Sequence, residues 1–220
     1  DRTPFHNQWL SSHLTPPMVP EIRLLKQFCK GQGLYGSDSK TEGFSGYLCE
    51  LLVVSYGTFL SVLQRASTWE PGHVLLDPGQ FKPNPQETFV RFSTHPLIII
   101  DPVDSQRNVA AVVSPQQCMR FIRAAQRFLG KPSEAFFFPK KPPLTPVRLR
   151  SLLEKRKTEF IVLRFLKPEI IDDILYPQLR KTQRRLSDIL DENDFIVLNS
   201  FSWAGKDFCI ILLEMEVWSL

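Results

Sequence analysis

The sequence predicts an α+β protein: a helical first part with short β segments, followed by a small α/β sandwich whose sheet is antiparallel. Three observations carry this reading. Proline recurs beside a capping or small residue just ahead of helical apolar patterns, as in Ser114-Pro115 and Thr145-Pro146. In the last third, strand-like apolar runs meet across Ala204-Gly205-Lys206, a hairpin turn sequence. Between the two parts, residues 131–145 are dense in Pro and Lys, the composition of a linker.

The elements follow in order. Thr3-Pro4, Val19-Pro20, Ser114-Pro115 and Thr145-Pro146 place Pro at a first helical position, where its missing N–H is no loss. They predict helices over 4–14, 20–30, 115–129 and 146–157. Gly31 and Gly33 are expected to stop the second and Gly130 the third. A longer helix is expected from a Ser45 cap to about Arg65, with Leu48, Leu51, Leu52, Tyr56, Phe59 and Leu60 as its buried stripe. From Trp69 to Asp101 the pattern turns to short β-like runs, ending at Leu97-Ile98-Ile99-Ile100. The expected organisation is a first domain over 1–130, a linker over 131–145 and a second domain over 146–220. Within the second, after the 146–157 helix, come a strand at 159–166, a helix at 175–192 and strands at 195–202 and 207–217.

Composition narrows the function classes. Among 220 residues, 27 Lys+Arg against 23 Asp+Glu give a net charge of +4, which permits a nucleic-acid partner without demanding one. The apolar runs, Leu97 to Ile100 among the longest, are too short to span a bilayer, and no basic start followed by an apolar stretch reads as a secretory signal. Four cysteines form no CxxC pair, four histidines are scattered, and no HExxH, GxSxG or P-loop pattern is present. Metalloprotease, serine hydrolase and P-loop readings therefore have no support. The chain begins at Asp1 and ends at Leu220 inside an expected strand, so both ends read as cut.

Three stretches carry more than periodicity. They are Asp1-Arg-Thr-Pro-Phe-His6; Glu21-Ile-Arg-Leu-Leu-Lys26 with Gly33-Leu-Tyr35-Gly and Gly43-Phe-Ser-Gly-Tyr-Leu-Cys-Glu-Leu-Leu52; and Asp101-Pro-Val-Asp-Ser-Gln-Arg-Asn-Val-Ala-Ala111. In this order and spacing they resemble the central domain of the archaeal class of CCA-adding enzymes, which are tRNA nucleotidyltransferases. Lys167-Pro-Glu-Ile-Ile-Asp-Asp-Ile-Leu-Tyr-Pro-Gln-Leu179 resembles the start of that family's tail region. The resemblance implies a cytoplasmic enzyme, a possible homodimer without membrane association, that adds C, C and A to the tRNA 3′ end from CTP and ATP without a template. It also implies that the Mg2+-binding catalytic carboxylates lie in a domain preceding Asp1, so that no catalytic or metal-binding residue is expected here and this chain alone should be inactive. The alternatives are another template-independent nucleotidyltransferase of the poly(A) polymerase kind, whose members share a Ser-x-Tyr helix, and a non-catalytic RNA-binding protein.

By resemblance, the nucleotide-binding residues are His6, Lys26, Tyr35, Arg107 and Thr3. By residue type alone, Lys26 reads as a solvated helix lysine; the resemblance makes it a point charge for the triphosphate. Tyr35, between Gly33 and Gly36, is a loop tyrosine whose hydroxyl the family aims at the same phosphates. His6 reads as a surface histidine, and the resemblance puts it beside sugar or base. Thr3 serves equally as a helix cap. Arg107 reads as a turn arginine that the resemblance assigns to base reading, with Asp104 orienting its turn. Ser45 and Tyr47 are explained by capping and packing. In the tail, Arg180, Lys181, Arg184 and Arg185 fall on a helix face away from Leu179, Leu186 and Leu190, and the resemblance makes them RNA-binding. Lys140, Lys141, Arg148, Arg150, Lys155, Arg156 and Lys157 add charge nearby in sequence.

Overall fold

The computed structural model describes residues 2–140 and 145–216. Asp1, Lys141 and the end of the last expected strand at 217 lie outside the described residues. The chain divides into two compact units, residues 1–140 and 141–220.

In the first unit, α1 (Thr3–His13) and α2 (Met18–Gly31) precede α3 (Gly46–Tyr56) and α4 (Phe59–Ala66). Then come β1 (Leu75–Leu76), α5 (Pro85–Arg91), β2 (Ile98–Asp101), β3 (Asp104–Asn108) and α6 (Pro115–Gly130). The long helix expected from Ser45 to Arg65 is two helices. Gly57 takes φ +88°, which ends α3, and Thr58 starts α4 by accepting from the Ser61 N–H at 3.1 Å. The axes bend by 93° there. The bend resets the helical phase, so Phe59, Val62, Leu63 and Ala66 are buried while Leu60, expected in the stripe, faces out.

Proline signals placed the helices more reliably than their first residues. Ser114 and Thr145 cap as expected, accepting from the N–H groups of Gln117 and Arg148. Thr3 does not cap: it is the first helical residue, with Arg2 before it. Helix α2 begins two residues early, at Met18. Asn84-Pro85 has the same grammar and starts α5 inside a stretch read as β, with Asn84 Oδ1 accepting from Gln86 N–H at 3.0 Å.

The stop of α2 is Gly33 at φ +66°, where Leu34 N–H reaches back to Cys29 O at 2.8 Å. Gly31 stays helical, and a Cβ there would collide with the Phe136 and Phe137 carbonyls. Those residues belong to the segment expected as a linker, 131–145. Its residues 131–140 instead belong to the first unit and include a 3₁₀ turn (Glu134–Phe136), because apolar Phe136 and Phe137 pack on the core despite the surrounding Pro and Lys, while residues 141–144 lie outside the described residues. Phe28 anchors this core with Phe59, Phe121, Phe128, Phe136 and Phe137 around it, ring centroids 5.5–6.4 Å apart.

The small sheet has order β1-β2-β3, with β2 parallel to β1 and antiparallel to β3. All four residues of β2 are buried, so it runs Ile98-Ile99-Ile100 into a buried Asp101. Arg107, expected in a turn, lies on β3.

The second unit contains α7 (Pro146–Arg156), β4 (Thr158–Leu166), α8 (Asp172–Asp191), β5 (Val197–Ala204) and β6 (Phe208–Glu216). The three strands form the expected antiparallel sheet, in the order β4-β6-β5. Helix α8 starts three residues earlier than expected because Asp172 and Asp173 favour its first turn, and it keeps Pro177 inside. Leu175, Tyr176 and Leu179 pack on Ala204 and Cys209, and Leu186 and Leu190 on Ile211, Leu213 and Met215.

Candidate nucleotide site

The start of α3 gathers two polar clusters of the first unit. Its cap is Ser45, whose Oγ accepts from the Leu48 N–H at 3.0 Å, and a helix start exposes N–H groups and a partial positive charge. A Cβ at Gly46 would lie 3.1 Å from Tyr35 Oη and 3.6 Å from Lys26 Nζ, so both groups converge on that first turn. Gly36 N–H to Phe44 O at 3.0 Å and Phe44 N–H to Leu34 O at 2.7 Å close the loop that carries Tyr35. Lys26 Nζ, its side chain about a quarter exposed, donates to Glu50 Oε1 at 2.6 Å, one turn further along α3. Ammonium, hydroxyl and helix start together suit an anion.

The second cluster centres on Asp101, which is fully buried. Its Oδ2 receives Arg107 Nη1 at 2.8 Å and lies 3.0 Å from His6 Nε2. Its Oδ1 accepts from the Val103 N–H at 3.1 Å and the Tyr47 hydroxyl at 3.4 Å. The His6 and Tyr47 rings stack with centroids 4.2 Å apart. Burial, then the adjacent Asp101 charge and hydrogen bond, push the Tyr47 hydroxyl well above its ordinary value of 10.0, so it stays protonated. Asp104 orients its neighbours as expected, accepting from Gln106 N–H at 3.1 Å and from Arg2 at 2.7 Å. Since Tyr47 and Glu50 both stand on α3 just after Gly46, one helix start serves both clusters.

The structure thus brings Lys26 together with Tyr35, and His6 together with Arg107. Thr3 lies one turn before His6 on α1 and is exposed. Sequence reasoning missed Asp101 and Glu50 and left Tyr47 to packing. The one available signal was the carboxylate ending an otherwise all-apolar run at Asp101. A separate hollow of about 520 Å³ lies between α1 and the β2–β3 turn, lined by Arg2, Phe5, Trp9 and Asp104 among others, and contains none of the four clustered residues.

In the second unit, Arg180 is half-buried and engaged, Arg185 pairs with Glu192 at 3.3 Å, and Lys181 and Arg184 are exposed. All four turn away from the Leu179, Leu186 and Leu190 face, and Asp188 shares their side of α8. Among the described residues, no three His, Cys, Asp or Glu side chains group closely enough to hold a metal ion. No single helix among them is long and apolar enough to cross a membrane, and the bent α3–α4 pair of similar composition is mostly core.

A helix start approached by an ammonium and a hydroxyl, beside a buried carboxylate that holds an arginine and an imidazole, is an arrangement chemically suited to an anionic ligand. Residues 20–138 match the family model described as tRNA nucleotidyltransferase, second domain, and residues 156–220 that described as CCA-adding enzyme, C-terminal domain. The first match alone spans more than half of the chain, which belongs to the tRNA nucleotidyltransferase family. Among curated relatives, the CCA-adding enzyme of Archaeoglobus fulgidus is 40% identical over 218 residues, covering 99% of this chain and 48% of the relative. That of Methanocaldococcus jannaschii is 39% identical over 225 residues (100% and 49%), and that of Halobacterium salinarum 42% over 216 residues (98% and 46%). The chain spans about half the length of these relatives.

Proposed function

We propose that the protein carrying this chain adds C and A residues to the tRNA 3′ end from CTP and ATP, and that the first unit holds the incoming nucleotide. The convergence of Lys26 and Tyr35 on the start of α3 carries the reading, because phosphates common to both nucleotides are what such a cradle fits. Lys26 exchanges Glu50 for phosphate, and Tyr35 donates its hydroxyl. His6, with Thr3 one turn away, lines the nucleotide. Arg107 offers donors to the ring-nitrogen acceptors of cytosine and adenine, where uracil and guanine present N–H. Mg2+ and its paired carboxylates belong to this reading as groups outside the described residues, so the steps assigned here are binding and orientation. A cytoplasmic location and a homodimeric state belong to the same proposal.

The test is steady-state kinetics of the full-length protein on tRNA lacking CCA. Lys26→Ala should weaken use of CTP and ATP alike, by roughly ten- to hundredfold in KM, as expected for a lost charge-assisted contact. Arg107→Ala should instead relax the preference for CTP and ATP over UTP and GTP. Unchanged use of all four nucleotides by both variants would sink the reading.

Helix α8 is proposed to touch RNA phosphates, with Lys181 and Arg184 as its most available cations. Removing one phosphate contact should lower the log–log salt dependence of tRNA affinity by roughly 0.7–0.9. A salt series on Arg184→Ala that superimposes on wild type would return the helix to an ordinary solvated face.

A further inference from the structure

We propose that Asp101 is a positioning residue of the nucleotide site: it fixes the His6 ring with hydrogen on Nε2, leaves Nδ1 as the nitrogen for the ligand, and ties His6 to Arg107 through one shared oxygen. The inference rests on the nucleotide-site reading and names a residue that reading does not contain. Asp101 is fully buried at the end of β2, where a carboxylate is costly unless every lone-pair direction is met. Four donors meet it. Val103 N–H and Tyr47 Oη–H approach Oδ1 at 3.1 and 3.4 Å, and Arg107 Nη1 and His6 Nε2 approach Oδ2 at 2.8 and 3.0 Å.

This pattern assigns the imidazole hydrogen. A carboxylate held by a guanidinium and a backbone N–H offers only lone pairs, so the nitrogen 3.0 Å away must be the donor. Arg107 Nη1 also has only hydrogens to give, so at 3.5 Å it would compete for a lone pair on the same Nε2; Nη1 is already held by Asp101 at 2.8 Å, and the shorter 3.0 Å carboxylate contact decides the tautomer. Tyr47, stacked on the ring, fixes its plane. Because Nη1 is spent on Asp101, Arg107 meets a ligand through its remaining nitrogens, and its side chain is 42% exposed. Movement of Oδ2 therefore displaces both residues together. If Asp101 merely closed the β2–β3 turn through Val103, His6 would be indifferent to it.

Asp101→Asn is nearly isosteric and separates these roles. Either orientation of the amide places its NH2 against donors: toward His6 and Arg107, or toward Val103 N–H and Tyr47.

The experiment uses the full-length protein labelled with 15N-histidine, with His6 assigned by the signal lost in His6→Gln. The expected wild-type spectrum shows hydrogen on Nε2, and added CTP shifts Nδ1 more than Nε2. A neutral ring with hydrogen on Nδ1 alone would overturn the proposal, and this arm needs no Asp101 variant. In Asp101→Asn the hydrogen should move toward Nδ1, because the carboxylate charge that favours a hydrogen on Nε2 is gone in either orientation of the amide. The kcat/KM preference for CTP over UTP should fall by about tenfold or more, while CTP affinity changes less than in Lys26→Ala. An Asp101→Asn protein with the wild-type tautomer and wild-type preference would equally overturn it. If wild type neither bound nor used CTP and ATP, the nucleotide reading would fail, and the tautomer of the free protein would still decide the Asp101 contact.

Discussion

Asp101 in the first unit and Glu214 in the second are both buried strand carboxylates that hold an arginine, yet they consume it differently. Arg156 gives Nε and Nη2 to the two Glu214 oxygens at 2.7 and 3.1 Å, while Thr158 Oγ1 and Asn199 Nδ2 add donations at 3.0 and 2.8 Å. That fork is spent on one carboxylate, and it braces the end of α7 against the sheet. Arg107 gives Asp101 one nitrogen and shares the carboxylate with an imidazole and a phenol. The first arrangement closes on itself, and the second keeps hydrogen-bonding capacity facing outward. Burying a charge is thus compatible with a brace or a site, and the difference lies in how many donors of the partner are left over.

The comparison can be broken most directly at Arg156. Arg156→Ala leaves Glu214 buried without its charged partner and should destabilise the second unit by about 2 kcal/mol. Denaturant unfolding would register this. An unchanged midpoint would show that Thr158 and Asn199 suffice.

A smaller effect is expected with acid. Burial alone would raise the Glu214 carboxyl, but the Asn199, Arg156 and Thr158 hydrogen bonds and the Arg156 charge win and hold it below its ordinary value of 4.5. A lowered folded value means that this stabilisation is fully present above about 4.5 and is lost as pH falls through the folded value. Glu214→Gln should therefore flatten the acid limb of the stability curve, and a limb as steep as wild type would contradict the assignment.

The smallest expected stability change sharpens the other half of the comparison. Arg107→Lys keeps a cation for Asp101 but not the planar fork, so stability should move by no more than about 0.5 kcal/mol. Selection among nucleotides should still fall, because an ammonium held by Asp101 cannot present a second flat donor edge. A variant that loses stability but keeps selection would make Arg107 a brace like Arg156.

Much of the architecture was legible because its signals are local. Proline at the helix starts, glycine at positive φ and the 204–206 turn act within a few residues, and they placed most helices and all three strands of the second sheet. What misled was also local evidence acting against packing. The apolar run 46–66 reads as one helix until Gly57 is allowed to bend it, and Pro-rich 131–145 reads as a linker until Phe136 and Phe137 find the Phe28 core.

By itself, the sequence determined the fold class through local pattern and, through its motifs, a family resemblance; Lys26, Tyr35, His6 and Arg107 became candidates by that resemblance, since by residue type alone they read as ordinary solvated, loop, surface and turn residues. Only the tertiary structure decided which of them meet. His6 and Asp101 are 95 residues apart, Lys26 and Glu50 are 24 apart, and among the described acidic residues it is Asp101 that is fully buried. Burial and long-range hydrogen bonding are properties of the packed chain, and they turn an unremarked aspartate at the end of a strand into the centre of the His6–Tyr47–Arg107 cluster.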